Sequence, residues 1–368
     1  MTKNIFILGC GFGAALAVLW NKAGHNVTCY SKFAEEIETI KRDREHKKLL
    51  PGIKIPEEIE FTCDISKSRG ADVIVFAVPS KFIGLAAEEL APHVPEKAVI
   101  VNVSKGFSEC VCGAGGAPGG TTAVGGAGVA PGGMTAVGGD CVPTTKCRLS
   151  EIIRVFVPEN PIVVLTGPCH AEEVGRGCPT TVVASSLDRE SAEYIQTTLV
   201  TKTFRVYMND DVVGCELGGA LKNPIALCCG IALGMGLGDN AAAALMTRGL
   251  AEIKRLGTAL GAKWQTFTGL AGVGDLIVTC TSKHSRNNRA GRLIGEGVPA
   301  LEAVKRIGTV EGYECVKIAL KLAKERDVDI PIFEQLYKVC YENLTPEEAL
   351  RDLMKRPQRH EHENFWES

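Results

Sequence analysis

The 368-residue sequence carries almost no net charge, with a formal value of -2 and a pI of about 6.4. Without a global positive field it holds no attraction for nucleic acid or an anionic membrane surface, and a small soluble partner is expected instead. It also lacks an apolar run of the roughly 20 residues needed to span a bilayer. Met1 to Asn4 lead straight into Ile5, Phe6, Ile7 and Leu8 with no cleavable signal pattern, so a cytoplasmic location is expected. Metal spacing is missing too. The 15 cysteines are scattered through apolar segments of a chain too long for a disulfide scaffold, and they read as reduced core residues. Only Cys110, Cys112, Cys141 and Cys147 cluster, with spacings unlike the paired ligands of a zinc site. His360, Glu361 and His362 read as solvated tail, so no metal is expected.

What is present divides in two. A chain this long with 45% hydrophobic residues implies two cores, because single cores stop growing above about 250 residues. Ile5–Leu8, Asn26–Tyr30, Asp72–Pro79, Val99–Val103, Ile162–Leu165 and Thr180–Ala184 read as strands alternating with helical stretches. That order implies right-handed crossovers and an α/β fold: a Rossmann-like N-terminal domain over 1–208 with a mostly parallel sheet. From Asn209 onward helical periodicity takes over, predicting an all-helical C-terminal domain over 209–368. Leu245, Gly249, Ile253, Leu256 and Leu260 form one apolar face, against a polar stripe of Arg248, Glu252 and Arg255. Thr345 to Glu348 reads as a capped helix start with proline at its first position. Between about 110 and 143 the composition shifts to Gly, Ala, Val, Thr and Pro, and the segment Ala117 to Gly126 nearly repeats at Ala130 to Gly139. With so little apolar bulk this tract reads as a flexible insertion, an interaction surface and a gene-model artefact being the other readings.

Gly9, Gly11 and Gly13 follow a buried strand and open a helix. Glycines there permit a sharp turn and let the backbone approach a pyrophosphate, whose charge then meets free helix amides. A plain tight turn is the alternative. The spacing leaves two readings, a loop one residue short or Ala14 taking the third small position. Where an NAD-selective fold places an acid after the second strand, Ser31 and Lys32 stand here; Lys32 suits a 2′-phosphate, while Glu35 and Glu36 remain available to a ribose. Lys222 sits among small residues before Pro224, which removes an amide and loosens the helix beside the ammonium; a snorkelling lysine is the alternative. Asp275 and Thr279, four apart, share a helix face. Thr281 to Arg289 gathers hydroxyls, amides and guanidinium groups suited to a phosphate dianion, or to a solvated loop.

Several separated segments resemble one family, the bacterial-type NAD(P)-dependent glycerol-3-phosphate dehydrogenases. They are Leu50–Ile59, Ser104–Gly106, Gly167–Val174, Ala220–Asn223, Gly236–Asn240, Leu270–Leu276, Ser285–Asn287 and Val310–Gly312, covering nearly the whole chain outside the insertion. The resemblance implies interconversion of glycerol 3-phosphate and dihydroxyacetone phosphate with NAD or NADP, by a homodimer. It also implies Lys222 as the group exchanging the hydroxyl proton, with Lys105, Asp275 and Thr279 around the reacting carbon. Arg286 and Asn287 correspond to its phosphate-binding residues, assisted by Asn223 and Ser285, with Gly167 and Cys169 beside the substrate. Phe12, Phe82, Ala171, Thr309 and Glu311 match coenzyme-contacting positions, joined by Lys105 and Arg286. Cys169 stands where the family has serine, a weaker donor. Two other functions compete: a dehydrogenase of the same architecture for another oxo acid or sugar phosphate, and a non-catalytic dinucleotide sensor. Ser285–Asn287 argue for phosphate, and binding alone requires no acid/base set like Lys105, Lys222, Asp275 and Thr279.

Overall fold

The computed structural model describes residues 1–109, 146–358 and 361. The glycine-rich insertion expected over 110–143 lies outside the described residues, as do Cys110, Cys112, Cys141, His360 and His362. Among the described residues no group of His, Cys, Asp and Glu is arranged to hold a metal ion. The described cysteines are free thiols, mostly buried.

The first half is a sheet with helices on both faces. Its early elements are β1 (Asn4–Leu8), α1 (Phe12–Lys22), β2 (Asn26–Tyr30), α2 (Ala34–Asp43), β3 (Glu60–Thr62), β4 (Val73–Phe76), α3 (Ile83–Leu90) and β5 (Val99–Asn102). A two-stranded antiparallel pair, β6 (Phe107–Glu109) and β7 (Lys146–Arg148), brackets the insertion and leads into α4 (Leu149–Phe156). Then come β8 (Ile162–Thr166), α5 (Ala171–Arg176), β9 (Thr180–Ser185), α6 (Arg189–Leu199) and β10 (Phe204–Asn209). The strand order is β10-β9-β8-β5-β4-β1-β2-β3. Only the β8–β9 junction is antiparallel. β4, β5 and β8 are buried throughout, which is why they read as unbroken apolar runs rather than alternating ones. The chain runs β1 to β3 in one direction and then restarts at β4 on the other side of β1. Leu8 pairs with Phe76 at the ends of those two strands. Their outlets, Gly9 and Ala77, therefore meet at the point where the order reverses, the place where open parallel sheets form a ligand crevice.

The second half is helical. Its members are α7 (Val212–Gly234), α8 (Gly238–Ala259), α9 (Asp275–Thr281), α10 (Arg286–Gly295), α11 (Ala300–Ile307), α12 (Glu311–Glu325), α13 (Pro331–Tyr341) and α14 (Pro346–Met354). The expected cap at Thr345 is present, with its hydroxyl accepting from the Glu348 amide and Pro346 in the first turn. α7 runs through the centre, and it is long and apolar enough by composition to cross a bilayer, against the expectation that no segment would be. Its burial against neighbouring helices accounts for that composition: a helix apolar all round belongs in a core.

α7 and α10 lie backbone against backbone. A methyl group on Gly230 or Gly234 would stand 2.2 or 2.3 Å from the carbonyl oxygen of Asn288 or Arg292, and one on Gly291 or Gly295 would stand 2.2 Å from that of Leu227 or Ile231. No side chain fits between these helices. Pro224 lies inside α7, and the Ala220 carbonyl it leaves without an amide accepts from the Cys315 thiol on α12 at 3.3 Å.

One expected surface residue is misplaced. Glu252 was assigned with Arg248 and Arg255 to a polar stripe, but it is 3% exposed, and its carboxylate accepts from the Ile332 and Phe333 amides at the start of α13. The orphan amides of a helix end drew an acid inward from a face that the periodicity had marked as polar. It lines a cavity of about 680 Å³ between α8, α13 and α14, remote from the glycine loop. Burial pushes its carboxyl up to about 8, against the pull of the two amides. A carboxyl whose folded pKa is raised stabilises the fold below its unfolded value and loses that contribution as pH rises through about 8. Thermal unfolding should therefore show wild type losing melting temperature between pH 6 and pH 9. Glu252→Gln, which keeps an amide acceptor without the charge, should flatten that decline, and an equally steep decline in the variant would refute the assignment.

Candidate active site

The crevice begins at the glycine loop. Gly9 has φ of +103°, a left-handed conformation that glycine adopts without steric cost, and a methyl group there would lie 2.6 Å from the Ala77 carbonyl. Gly11 precedes α1 and supplies no side-chain cap, leaving the first helix amides open towards the crevice. Gly13 faces Ile7, where a methyl group would come within 2.7 Å of that side chain. Ala14 is fully buried in the sheet core, so the small residues at 13 and 14 both pack the helix against the sheet behind the turn at 9 and 11. The cradle fits a dinucleotide pyrophosphate: backbone close to the ligand, uncapped amides, no side chain between. Gly9→Ala should raise the dissociation constant for the coenzyme at least about tenfold, because backbone strain of ~1–3 kcal/mol adds to the clash with Ala77. Unchanged affinity by coenzyme fluorescence titration would count against this cradle.

Lys32 lies at the far end of the crevice with its ammonium 5.4 Å from the Phe33 ring centre and 5.6 Å from that of Phe82. Glu36 is turned away from it, accepting from Ser31 at 2.5 Å and contacting the His46 ring at 3.1 Å.

The chemical centre is a single carboxylate between two ammonium groups. Asp275, 1% exposed, opens α9 just after a π-turn over Leu270–Gly274, an irregularity common beside functional groups. Its Oδ2 accepts from Lys105 Nζ at 2.8 Å and its Oδ1 from Lys222 Nζ. Thr279, one turn on as the spacing required, accepts from Lys222 at 2.8 Å and donates to the Asp275 carbonyl at 2.6 Å. Lys105 also donates to the Gly167 carbonyl at 2.8 Å and approaches the Cys169 sulfur at 3.5 Å. Cys169 donates in turn to the Gly167 carbonyl at 3.1 Å.

The charges of this group follow from its count. Burial, with the two lysines outweighing it, leaves the Asp275 carboxyl below the ordinary range and therefore ionised. One carboxylate balances one ammonium. Burial is the main cause that brings Lys222 down to about 8; Asp275 resists the fall and the Lys105 charge adds to it. Burial also works against Lys105, but Asp275 and Cys169 hold its ammonium above the usual value. Lys222 is thus the lysine poised to gain and lose a proton near neutrality, while Lys105 stays charged. The Cys169 thiol is pushed up by burial and stays neutral.

On the other side of Lys222 lies the start of α10. Ser285 caps it, accepting from the Asn288 amide at 3.2 Å, and Arg286 in its first turn is exposed. Asn287 is buried: its Nδ2 donates to Asn223 Oδ1 at 3.0 Å and its Oδ1 accepts from the Gly312 amide at 2.9 Å. Asn287 and Asn223 therefore also brace α7, α10 and α12 against one another. Glu311 opens α12, and Ala171 opens α5. Thr309 lies half-buried ahead of α12.

Comparison with known proteins settles the family. The N-terminus model of NAD-dependent glycerol-3-phosphate dehydrogenase matches residues 4–116 and 133–192, and the C-terminus model matches 211–351. The chain belongs to the NAD-dependent glycerol-3-phosphate dehydrogenase family. A relative from Desulfitobacterium hafniense, described as glycerol-3-phosphate dehydrogenase (NAD(P)+), is 41% identical over 97% of this chain and 93% of its own. One from Bacillus subtilis with the same description is 42% identical over 99% and 97%. The crystal structure of glycerol-3-phosphate dehydrogenase from Coxiella burnetii superposes with a TM-score of 0.83, at 32% identity, covering 96% of this chain and 99% of that one.

Three long-range polar contacts in this dehydrogenase family member went unread in the sequence. Glu216 on α7 accepts from the Ser150 amide at 2.8 Å, the Ser150 hydroxyl at 2.6 Å and Arg148 at 3.1 Å, so it caps α4 from the other half of the chain. His170 reaches the Val278 carbonyl on α9 at 3.4 Å, and His284 lies 3.4 Å from Glu172. Each is an ordinary residue until a partner far along the chain gives it work.

Proposed function

We propose that this chain interconverts sn-glycerol 3-phosphate and dihydroxyacetone phosphate, with NAD or NADP as hydride carrier. The observation that carries the reading is Lys222, buried beside Asp275 and Thr279 with its pKa near 8, in a chain of this dehydrogenase family. Gly9, Gly11, Gly13 and Phe12 would hold the coenzyme at the start of α1, with Lys32, Phe82, Ala171, Thr309 and Glu311 along it. When bound, its nicotinamide supplies or accepts the hydride.

The remaining work falls to the chain. As charge builds on the carbonyl oxygen of dihydroxyacetone phosphate, protonated Lys222 stabilises it and delivers its proton there. In the reverse direction neutral Lys222 takes the hydroxyl proton. Asp275 orients the ammonium and keeps it charged enough to donate; Thr279 fixes it from the other side. Lys105, anchored on Gly167 and Asp275, adds a permanent positive charge beside the reacting carbon. Arg286, Asn287, Asn223 and Ser285 would receive the phosphate at the start of α10, where helix amides and guanidinium favour a dianion. Binding energy from this non-reacting group positions the carbonyl.

The dehydrogenase divides at 208/209 into a coenzyme domain and a substrate domain, with the reaction in the cleft between them. It acts in the cytoplasm as a homodimer, without nucleic acid or membrane, and serves glycerolipid synthesis or redox balance. The reading is tested by following reduced-nicotinamide absorbance while dihydroxyacetone phosphate is added, in parallel with NADH and NADPH. Oxidation of either coenzyme supports it; folded, coenzyme-binding protein that oxidises neither refutes it.

A further inference from the structure

Ser80 has no part in the reaction described so far. It opens a short 3₁₀ turn, Ser80–Phe82, immediately after β4, and is buried. Its hydroxyl crosses from the sheet half to the helical half and donates to Glu311 Oε2 at 2.8 Å. From there the contacts continue without a break. The next amide, Gly312, donates to Asn287, and Asn287 donates to Asn223, the residue after Lys222. Two glycines keep this path tight: a methyl group on Gly106 would lie 2.9 Å from Ser80 Oγ, and one on Gly312 would lie 2.6 Å from the Asn223 carbonyl. Burial raises the Glu311 carboxyl, with the Ser80 hydrogen bond opposing the rise.

We propose that Ser80 is a positioning residue that couples coenzyme binding to substrate binding through the chain Ser80, Glu311, Gly312, Asn287 and Asn223. The inference rests on the reading that puts the coenzyme beside Phe82 and Glu311 and the phosphate beside Arg286 and Asn287. Without the Ser80 hydroxyl, the Glu311 carboxylate and the turn that bears Phe82 are oriented independently of α10 and α12. With it, ordering either end removes freedom from the other, so each ligand tightens the other by the same factor.

The test is the dissociation constant of NADH and NADPH, from nicotinamide fluorescence, with and without saturating glycerol 3-phosphate. Reduced coenzyme and reduced substrate do not turn over, so the ternary complex is stable. Wild type should bind coenzyme more tightly with glycerol 3-phosphate present. Ser80→Ala should lose that enhancement by about tenfold, the usual worth of a hydrogen bond to a charged group. Ser80→Thr, retaining the hydroxyl, should recover it, and Ser80→Ala should add nothing in a Glu311→Ala background. A purely structural role would lower the melting temperature of Ser80→Ala and leave the enhancement intact, which overturns the proposal, as would additive effects in the double variant. If glycerol 3-phosphate does not bind wild type at all, the functional reading falls. Coenzyme affinity in wild type, Ser80→Ala, Glu311→Ala and the double variant then judges the Ser80–Glu311 contact alone, and equal affinities in all four overturn it.

Discussion

Lys222→Ala should lower turnover by about 10³-fold or more while coenzyme affinity stays within about twofold, since a positioned proton donor alone contributes ~10²–10⁴. The loss is expected at the upper end because the proposed role of Lys222 is both to deliver the proton and to neutralise the alkoxide in a buried site. Removing it also leaves Asp275 with Lys105 as its one remaining ammonium, so the fold retains a balanced buried pair and survives. Steady-state kinetics in both directions, with coenzyme titration on the same preparation, checks this. Turnover resembling wild type would sink the mechanism.

Asp275→Asn should be the second most damaging change, and its signature is in the pH profile. Asp275 is the group that opposes the fall of the Lys222 pKa, so without its charge that pKa drops further below about 8. Reduction of the ketone needs protonated Lys222 and is lost as pH rises through its pKa. The alkaline limb of the reduction profile should therefore move to lower pH, and at pH 7.5 the rate should fall by about 10²-fold. The variant also confronts two buried lysines with no carboxylate, so its melting temperature should drop as well. A profile whose alkaline limb stays in place, measured on folded protein, would show that Asp275 does not set the Lys222 proton equilibrium.

Much of this site was legible before any fold was known, for reasons that differ by residue. The strands were visible because β4, β5 and β8 are covered on both faces and so read as continuous apolar runs. Asp275 and Thr279 were visible because their spacing of four survives translation into a helix. Lys222 gained weight from Pro224, whose missing amide the Cys315 thiol answers across the helical half. Local pattern also explains the error at Glu252, where three polar residues at helical spacing described a solvent face that the start of α13 converts into an interior. Glu216 and Ser80 stayed hidden for a related reason. Each acts on a partner in the other half of the chain, Ser80 on Glu311 across 231 positions, and periodicity carries no information over that range.

The four glycines between α7 and α10 have a consequence for which molecules this cleft accepts. α7 carries the proposed proton donor and α10 the proposed phosphate anchor, and at these four glycines the two helices meet main chain to main chain, with Asn287 bonded to Asn223 across the same junction. On the proposed assignment of these two groups, their separation would work as a gauge for substrate length. A ketone phosphate with one more carbon between its ends should carry its carbonyl past Lys222 and react more slowly than the three-carbon substrate. Alanine at Gly230 or Gly291 would reset the gauge by pushing the helices apart, changing which chain length reacts before it changes how tightly the phosphate is held.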